Sequence, residues 1–263
     1  MTDDAPAPAP EPHAAAQPRT AGLLSGGRAG YIALGLSVVA LGLAAAPYFT
    51  GGSNVRTYLL NHPEVLQEAS QALQAKEGQA RVDETNAAAA ANAGLLAPDS
   101  RDPAFGPADA KVTVIEFFDF RCPGCKAVAH DYRALMAAHP EVRFVFKDWP
   151  ILDRGDDITS QYAARAALAA HQQGKYLEVY DALMNERALT LQSIDAILAA
   201  HGVDMTRAKA TLASPETTRH IADIHTTAAA LRLQGTPTFF VNGKAAASID
   251  PAEIGRMIEA AKK

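Results

Sequence analysis

The sequence predicts an α/β fold in which one sheet is assembled across an all-helical insertion, with an apolar helix and a helical stalk in front of it. Three observations carry this expectation. Strand-like runs occur at Lys111–Asp119, Val142–Lys147 and Thr238–Asn242. From Asp156 to about Leu233 there is only helical periodicity, broken at Gly174, Gly202 and Pro215. The first run leads almost directly into Cys122-Pro123-Gly124-Cys125, which opens a helical pattern reaching His139. The strands on either side of the insertion must pair with one another to make a sheet.

The N-terminus is not globular. Residues 1–28 form a tail rich in alanine and proline with few large apolar side chains, too few to offset the entropy of ordering it. Ala29 to Phe49 is apolar, carries no charge and has about the length needed to cross a bilayer. It reads as a transmembrane anchor. The alternative is a cleaved signal segment, with small residues at Gly42-Leu43-Ala44 and Ala44-Ala45-Ala46. Against it, Pro47 follows the second site closely and the run is long for a signal core. Arg19 and Arg28 lie on the N-terminal side and no basic residue follows until Arg56, which places everything after Thr50 outside the cytoplasm. A dithiol can cycle in such an oxidising compartment.

Residues 50–97 read as a helical stalk and linker. Gly51-Gly52-Ser53 is expected to be a flexible joint. A helical pattern follows from Asn54 to about Ala93, with a break near Asn61-His62 because Pro63 suits the first turn of a new helix. Leu59, Leu66, Leu73, Ala80 and Ala87 recur every seven residues, while the partner seam holds His62 and Lys76. The segment is either an oligomerisation stalk or a solvated spacer. Pro98 to Pro107 is a linker, and the compact domain is expected over 98–263 with its helical insertion at about 153–233. An Asn242-Gly243 turn leads to a partner strand at Ala245–Ser248. Asp250-Pro251 caps the last helix.

Cys122 and Cys125 are the only cysteines, which excludes a disulfide framework and argues against a Cys-rich zinc site. With His130 they would still lack a fourth metal ligand, and His220 and His225 stand five apart, not at zinc spacing. The net charge of −5 and the absence of a basic run argue against nucleic acid as a partner. A cysteine at a helix start faces the positive end of the dipole and free N–H groups, both of which favour thiolate. Cys122 therefore reads as the attacking thiol, and Cys125, one turn inside, as the resolving one. Arg121 adds positive charge that Asp119 partly opposes, whereas Pro123 and Gly124 bring neither charge nor hydrogen-bonding side chain. Such thiolates span pKa values of roughly 3.5 to 7, and the middle or upper part of that range is expected here, a moderate oxidant. Glu116 interrupts an apolar strand six residues before Cys122. It is either an exposed side chain or a buried carboxyl that handles the proton of Cys125. Lys147 is a candidate partner for it, and Trp149 reads as core or groove lining. Pro237, at the start of a strand, would on its own be an ordinary trans proline.

Ile115 to Cys125, together with Gly235-Thr236-Pro237-Thr238-Phe239, resembles the DsbA family of thioredoxin-fold thiol–disulfide oxidoreductases. The resemblance covers roughly Phe105 to Lys263 and includes the helical insertion. The N-terminal helical extension and Thr236 are similar to the ScsC and Com1-like members. The resemblance implies a thioredoxin-like fold, a cis Thr236–Pro237 bond facing the dithiol, Glu116 as the buried acid, and a Thr236 backbone that pairs with extended substrate. It implies cysteines of exported proteins as substrates and no cofactor beyond the dithiol. A membrane redox partner and a homo-oligomer through residues 54–93 complete the expectation. The protein would sit in a bacterial inner membrane facing the periplasm, or be soluble there after cleavage. The Pro-Gly dipeptide departs from the Pro-His pair of the strongest oxidases. Oxidation of substrate dithiols is the leading expectation. An isomerase or reductase kept reduced by a membrane partner is the alternative, and a non-catalytic peptide- or metal-binding adaptor the third reading.

Overall fold

The structure, a computed structural model, describes residues 28–263, and their side chains except at 28–30, 32–33 and 46–54. The tail expected over residues 1–28 lies, Arg28 apart, outside the described residues. The chain divides into one unit ending at Ala69 and a second from Ser70 to Lys263.

In the first unit α1 spans Arg28–Asn61. It runs without interruption through Gly51-Gly52-Ser53, so the expected joint is helical. A glycine costs a helix interior only about 0.5–1 kcal/mol relative to alanine, so this pair does not by itself end the helix. Tyr31, Leu34, Leu36, Val38, Val39, Leu41 and Leu43 are all exposed, on every side of the helix. Among the described residues no helix is long and apolar enough to cross a membrane. The helix breaks at His62-Pro63, and α2 follows over Glu64–Ala91.

The second unit takes in the rest of α2 and a sheet in the order β1-β3-β2-β4-β5. The strands are β1 (Ala104–Phe105), β2 (Thr113–Phe118), β3 (Arg143–Asp148), β4 (Thr238–Val241) and β5 (Lys244–Ala245). Only β2 and β3 pair in parallel, joined by α3 (Pro123–Ala138). Five helices without a strand between them separate β3 from β4: α4 (Thr159–His171), α5 (Tyr176–Asn185), α6 (Leu191–Ala200), α7 (Met205–Leu212) and α8 (Pro215–Ala230). The last helix, α9, covers Pro251–Ala261 and starts at the Asp250 cap, whose side chain accepts from the Ala252 N–H.

β2 shows why the core has two layers. Val114, Glu116 and Phe118 point to one face, Ile115 and Phe117 to the other, as the period of two requires. The first face packs against α3, α9 and the α4–α7 bundle, through Tyr132, Tyr176, Tyr180 and Phe146. The second packs against α8, through Ile224, Ala228, Leu231 and Trp149. Trp149 is thus core, edge-on to Phe117, with its indole N–H donating to His225 Nδ1 at 3.2 Å.

Three expectations change. The linker contributes a strand, because β1 pairs with the otherwise open edge of β3. The partner strand after Asn242-Gly243 is only Lys244–Ala245 long. The stalk is not set apart by a linker at residue 98: the end of α2 buries Thr85, Ala88 and Ala89, and Ala89 joins the second core layer. Asn86 Oδ1 accepts from the Ala245 N–H at 2.8 Å, and Glu84 pairs with Arg232 at 2.5 Å. Ala245 is on an edge strand with one face of its backbone unpaired, and α2 covers it.

Candidate active site

The dithiol sits where β2 gives way to α3. Cys122 is the N-cap of α3, with extended backbone (φ −69°, ψ 122°), and Pro123 takes the first helical position, where a missing N–H costs nothing. The turn is held by the Cys122 N–H on the Asp119 carbonyl at 3.0 Å and by the Lys126 N–H on the Cys122 carbonyl at 3.0 Å. Cys125 is fully buried and Cys122 retains 8% exposure, so the first thiol is the one that a partner can reach. Both are free thiols in this structure.

The Thr236–Pro237 peptide lies against them and is cis. As a thiol, Cys122 donates to the Thr236 carbonyl at 3.1 Å. Gly124 makes room for this loop: a Cβ there would stand 3.2 Å from Pro237 Cδ and 3.7 Å from Cys122 Sγ. Gly124 therefore fits a close approach that its lack of charge did not foretell.

The two thiols are driven apart in acidity. Cys122 is lowered to about 5, first by a hydrogen bond from the Cys125 thiol, then by the Thr236 hydroxyl and the N–H groups of Cys125 and Gly124, against burial. Burial pushes Cys125 well up, and its bond to Cys122 and the Glu116 charge push the same way. Glu116 is wholly buried on the same face of β2 as the dithiol helix, so the exposed alternative is not what the structure has. Burial raises its pKa well above the carboxylate range; the charges of Asp148 and Cys122 add to this, and a Tyr180 hydroxyl at 3.4 Å works against it. Its Oε1 has no protein partner.

Lys147 does not reach Glu116. In the parallel register it stands opposite Phe117, on the other face of the sheet, and pairs with the buried carboxylate of Asp102, beside His220 at 3.3 Å. Arg121 is also turned away from the thiol. Its guanidinium pairs with Asp153 at 3.1 Å and Asp157 at 2.6 Å. His130 lies on the exposed side of α3 next to Asp131, away from the cysteines.

Three polar residues at the site have roles that the sequence analysis did not give them. Asp119 accepts from the N–H groups of Arg121, Ile151 and Leu152 and from the Ser160 hydroxyl, at 2.7 to 3.1 Å. It ties the dithiol loop to the entry of α4. Lys126 Nζ donates to the carbonyls of Leu183, Met184 and Glu186, where α5 ends and its last acceptors lack partners. Asp148, two places beyond the partner of Glu116, is buried on the same face, with Tyr176 donating to it at 3.1 Å, and burial raises its pKa. Strand alternation from Glu116 and its β3 neighbour is the signal that could have found it.

Residues 99–260 match the family model described as Thioredoxin. The chain belongs to the thioredoxin family. Residues 52–80 also match the model described as the Copper resistance protein ScsC N-terminal domain. The family member is 34% identical to a thioredoxin-like oxidoreductase of Silicibacter pomeroyi DSS-3, with a TM-score of 0.58 over 62% of this chain and 94% of that one. It is 27% identical to BcfH of Salmonella enterica Typhimurium, with a TM-score of 0.61 over 86% of this chain and all of that one. It shares its fold with Proteus mirabilis ScsC in a transitional conformation, at 24% identity and TM-score 0.59 over 82% of this chain and 97% of that one. A Na(+)/H(+) antiporter NhaA 3 of Salinispora tropica is 36% identical over 149 residues, which is 56% of this chain. The match spans only 22% of that antiporter, and 22–28% of each of the curated relatives matched.

Proposed function

We propose that this oxidoreductase introduces disulfides into exported proteins through Cys122 and Cys125. The observation that carries the reading is the split acidity of the two thiols beside the cis-proline loop. A stabilised Cys122 thiolate stabilises the reduced dithiol, which makes the disulfide an oxidant. In the reaction a substrate thiolate attacks Cys122 Sγ of the Cys122–Cys125 disulfide. The S–S bond breaks, Cys125 leaves as a thiolate and takes a proton, and Glu116, whose burial favours its protonated form, is the candidate proton source. The second substrate thiolate then attacks the substrate sulfur of the mixed disulfide, and Cys122 leaves as the stabilised thiolate. The substrate loses two electrons and the enzyme gains them. A disulfide-bearing membrane redox partner takes them away.

Thr236 presents its carbonyl beside Cys122, which supports a role in aligning an extended substrate backbone. The apolar Ala29–Phe49 stretch supports delivery to the periplasmic side by an anchor or a signal segment. Alkylation trapping of the redox state in cells, with a measured reduction potential, tests the direction. An oxidase should be found oxidised, with a potential between about −120 and −200 mV; a reduced protein near about −270 mV would make it a reductase. The isomerase reading keeps one specific support. Leu66 and Leu73 of the seven-residue series are 56% exposed, an apolar stripe that a second copy could cover.

A further inference from the structure

The groove beside the cis-proline loop has one wall that comes from outside the sheet-and-insert body. Arg81 and Val82 of α2 form that wall, across from Gln234, Pro237 and Ile249. The space between is about 390 Å³. It is continuous with the dithiol, because Ile249, 40% exposed, lies on both: its Cδ1 would stand 3.7 Å from a Cβ at Gly124, the same distance as Cys122 Sγ.

The lining is small and apolar apart from a few neutral polar groups, and Arg81 is its only charged side chain. Arg81 is exposed and has no hydrogen-bond or ion-pair partner among the described residues. Four arginines of this unit are paired with carboxylates, Arg101 with Asp99, Arg121 with Asp153 and Asp157, Arg133 with Asp181, and Arg232 with Glu84, whereas Arg81 faces the groove unpaired. The sheet edge behind the groove is closed, since Asn86 occupies the Ala245 N–H. A polypeptide entering here cannot extend the sheet at that position and must lie along the groove.

We propose that this groove is a substrate subsite supplied in part by the stalk helix. It holds the polypeptide flanking the reacting cysteine, and Arg81 selects for an acidic residue in that flank. The proposal rests on the oxidoreductase reading and adds to it what the substrate looks like next to its cysteine. Apolar and small lining residues accommodate varied side chains, while a single unneutralised guanidinium discriminates by charge.

The test uses the full chain and three synthetic peptides of one length, each with a single cysteine as a mixed disulfide with glutathione. They differ only in an acidic, neutral or basic flank. Mixed-disulfide formation is followed by mass spectrometry with the Cys125→Ser protein. The acidic peptide should react about threefold faster than the neutral one at low salt, the size expected for one exposed charge pair, and the ratio should shrink in high salt. Within Arg81→Ala the acidic-to-basic ratio should fall to about one, and within Arg81→Glu it should invert. A ratio of one in the unmodified groove, or a preference that survives in both variants, overturns the proposal. Serine versions of the peptides separate this from failure of the chemistry. Amide NMR shifts from the serine peptides at Arg81, Val82 and Ile249, with no mixed disulfide from the cysteine peptides, would sink the oxidoreductase reading and keep the groove, and shifts elsewhere would sink the groove.

Discussion

At the scale of single residues, the site is a pair of thiols made unequal by their surroundings. An unfolded cysteine titrates near about 8.5. Cys122, lowered to about 5, should therefore be alkylated by iodoacetamide with a midpoint near 5, and Cys125 should stay unmodified in the folded protein. The sign for stability follows from linkage. A folded pKa below the unfolded one stabilises the reduced protein fully above about 8.5, and that stabilisation is lost as pH falls through the folded value. Thermal melts of the reduced and oxidised forms at pH 4 and 8 check this: the reduced form should gain relative to the oxidised one at the higher pH. Cys122→Ser should abolish exchange, whereas Cys125→Ser should accumulate mixed disulfides. Glu116 has the opposite sign. Its raised pKa means that wild type loses stability, relative to Glu116→Gln, as pH rises from about 4.3 through the folded value. Formation of the mixed disulfide from the oxidised enzyme, the step in which Cys125 leaves and takes its proton, should slow by about 10²-fold in Glu116→Gln in single-turnover mixing, with a flatter pH profile. An unchanged profile would leave Glu116 a structural carboxyl only. These residues were legible because each breaks a local pattern: a cysteine pair at a strand–helix junction, a carboxyl in an apolar strand. The direction of Arg121 was not legible. It is decided by Asp153 and Asp157, which a loop more than thirty residues away brings alongside.

At the scale of elements, periodicity located β2, β3, β4 and α3, the Asp250-Pro251 cap located α9, and the absence of strand pattern located the insert. It failed where a contact has no period. β1 is two residues inside a segment of proline, aspartate and glycine, and exists only because β3 offers an edge. The docked end of α2 failed for a related reason: its buried side chains are alanine and threonine, too small to stand out from a solvated helix. The contact is nonetheless specific, since Asn86 satisfies a buried backbone donor. Asn86→Ala should destabilise the protein by about 1–2 kcal/mol, seen as a lower urea midpoint with the same slope, because the Ala245 N–H loses its partner. Asn86→Asp, which keeps the acceptor, should recover most of it. A midpoint unchanged in Asn86→Ala would mean that water serves Ala245 equally well.

At the scale of the whole molecule, the second unit begins at Ser70, well inside the segment first read as a stalk. This changes how self-association should be tested. A fragment starting at residue 98 would strip the cover from the sheet, so the comparison belongs between fragments starting at Asn54 and at Ser70. Light scattering should give a multiple of the chain mass for the longer and a single chain mass for the shorter. Two monomers would leave residues 54–69 a spacer. Asp119 has a consequence of its own for how this molecule breathes. Its two oxygens gather the dithiol turn, the segment after β3 and the first turn of α4. Segments pinned to one carboxylate cannot loosen one at a time without stranding an anion away from water. The amides of Arg121, Ile151 and Leu152 should then exchange with deuterium at one common rate, as one cooperative patch. The helical insert, far from being an ornament on a redox domain, would set how often the thiols come into view.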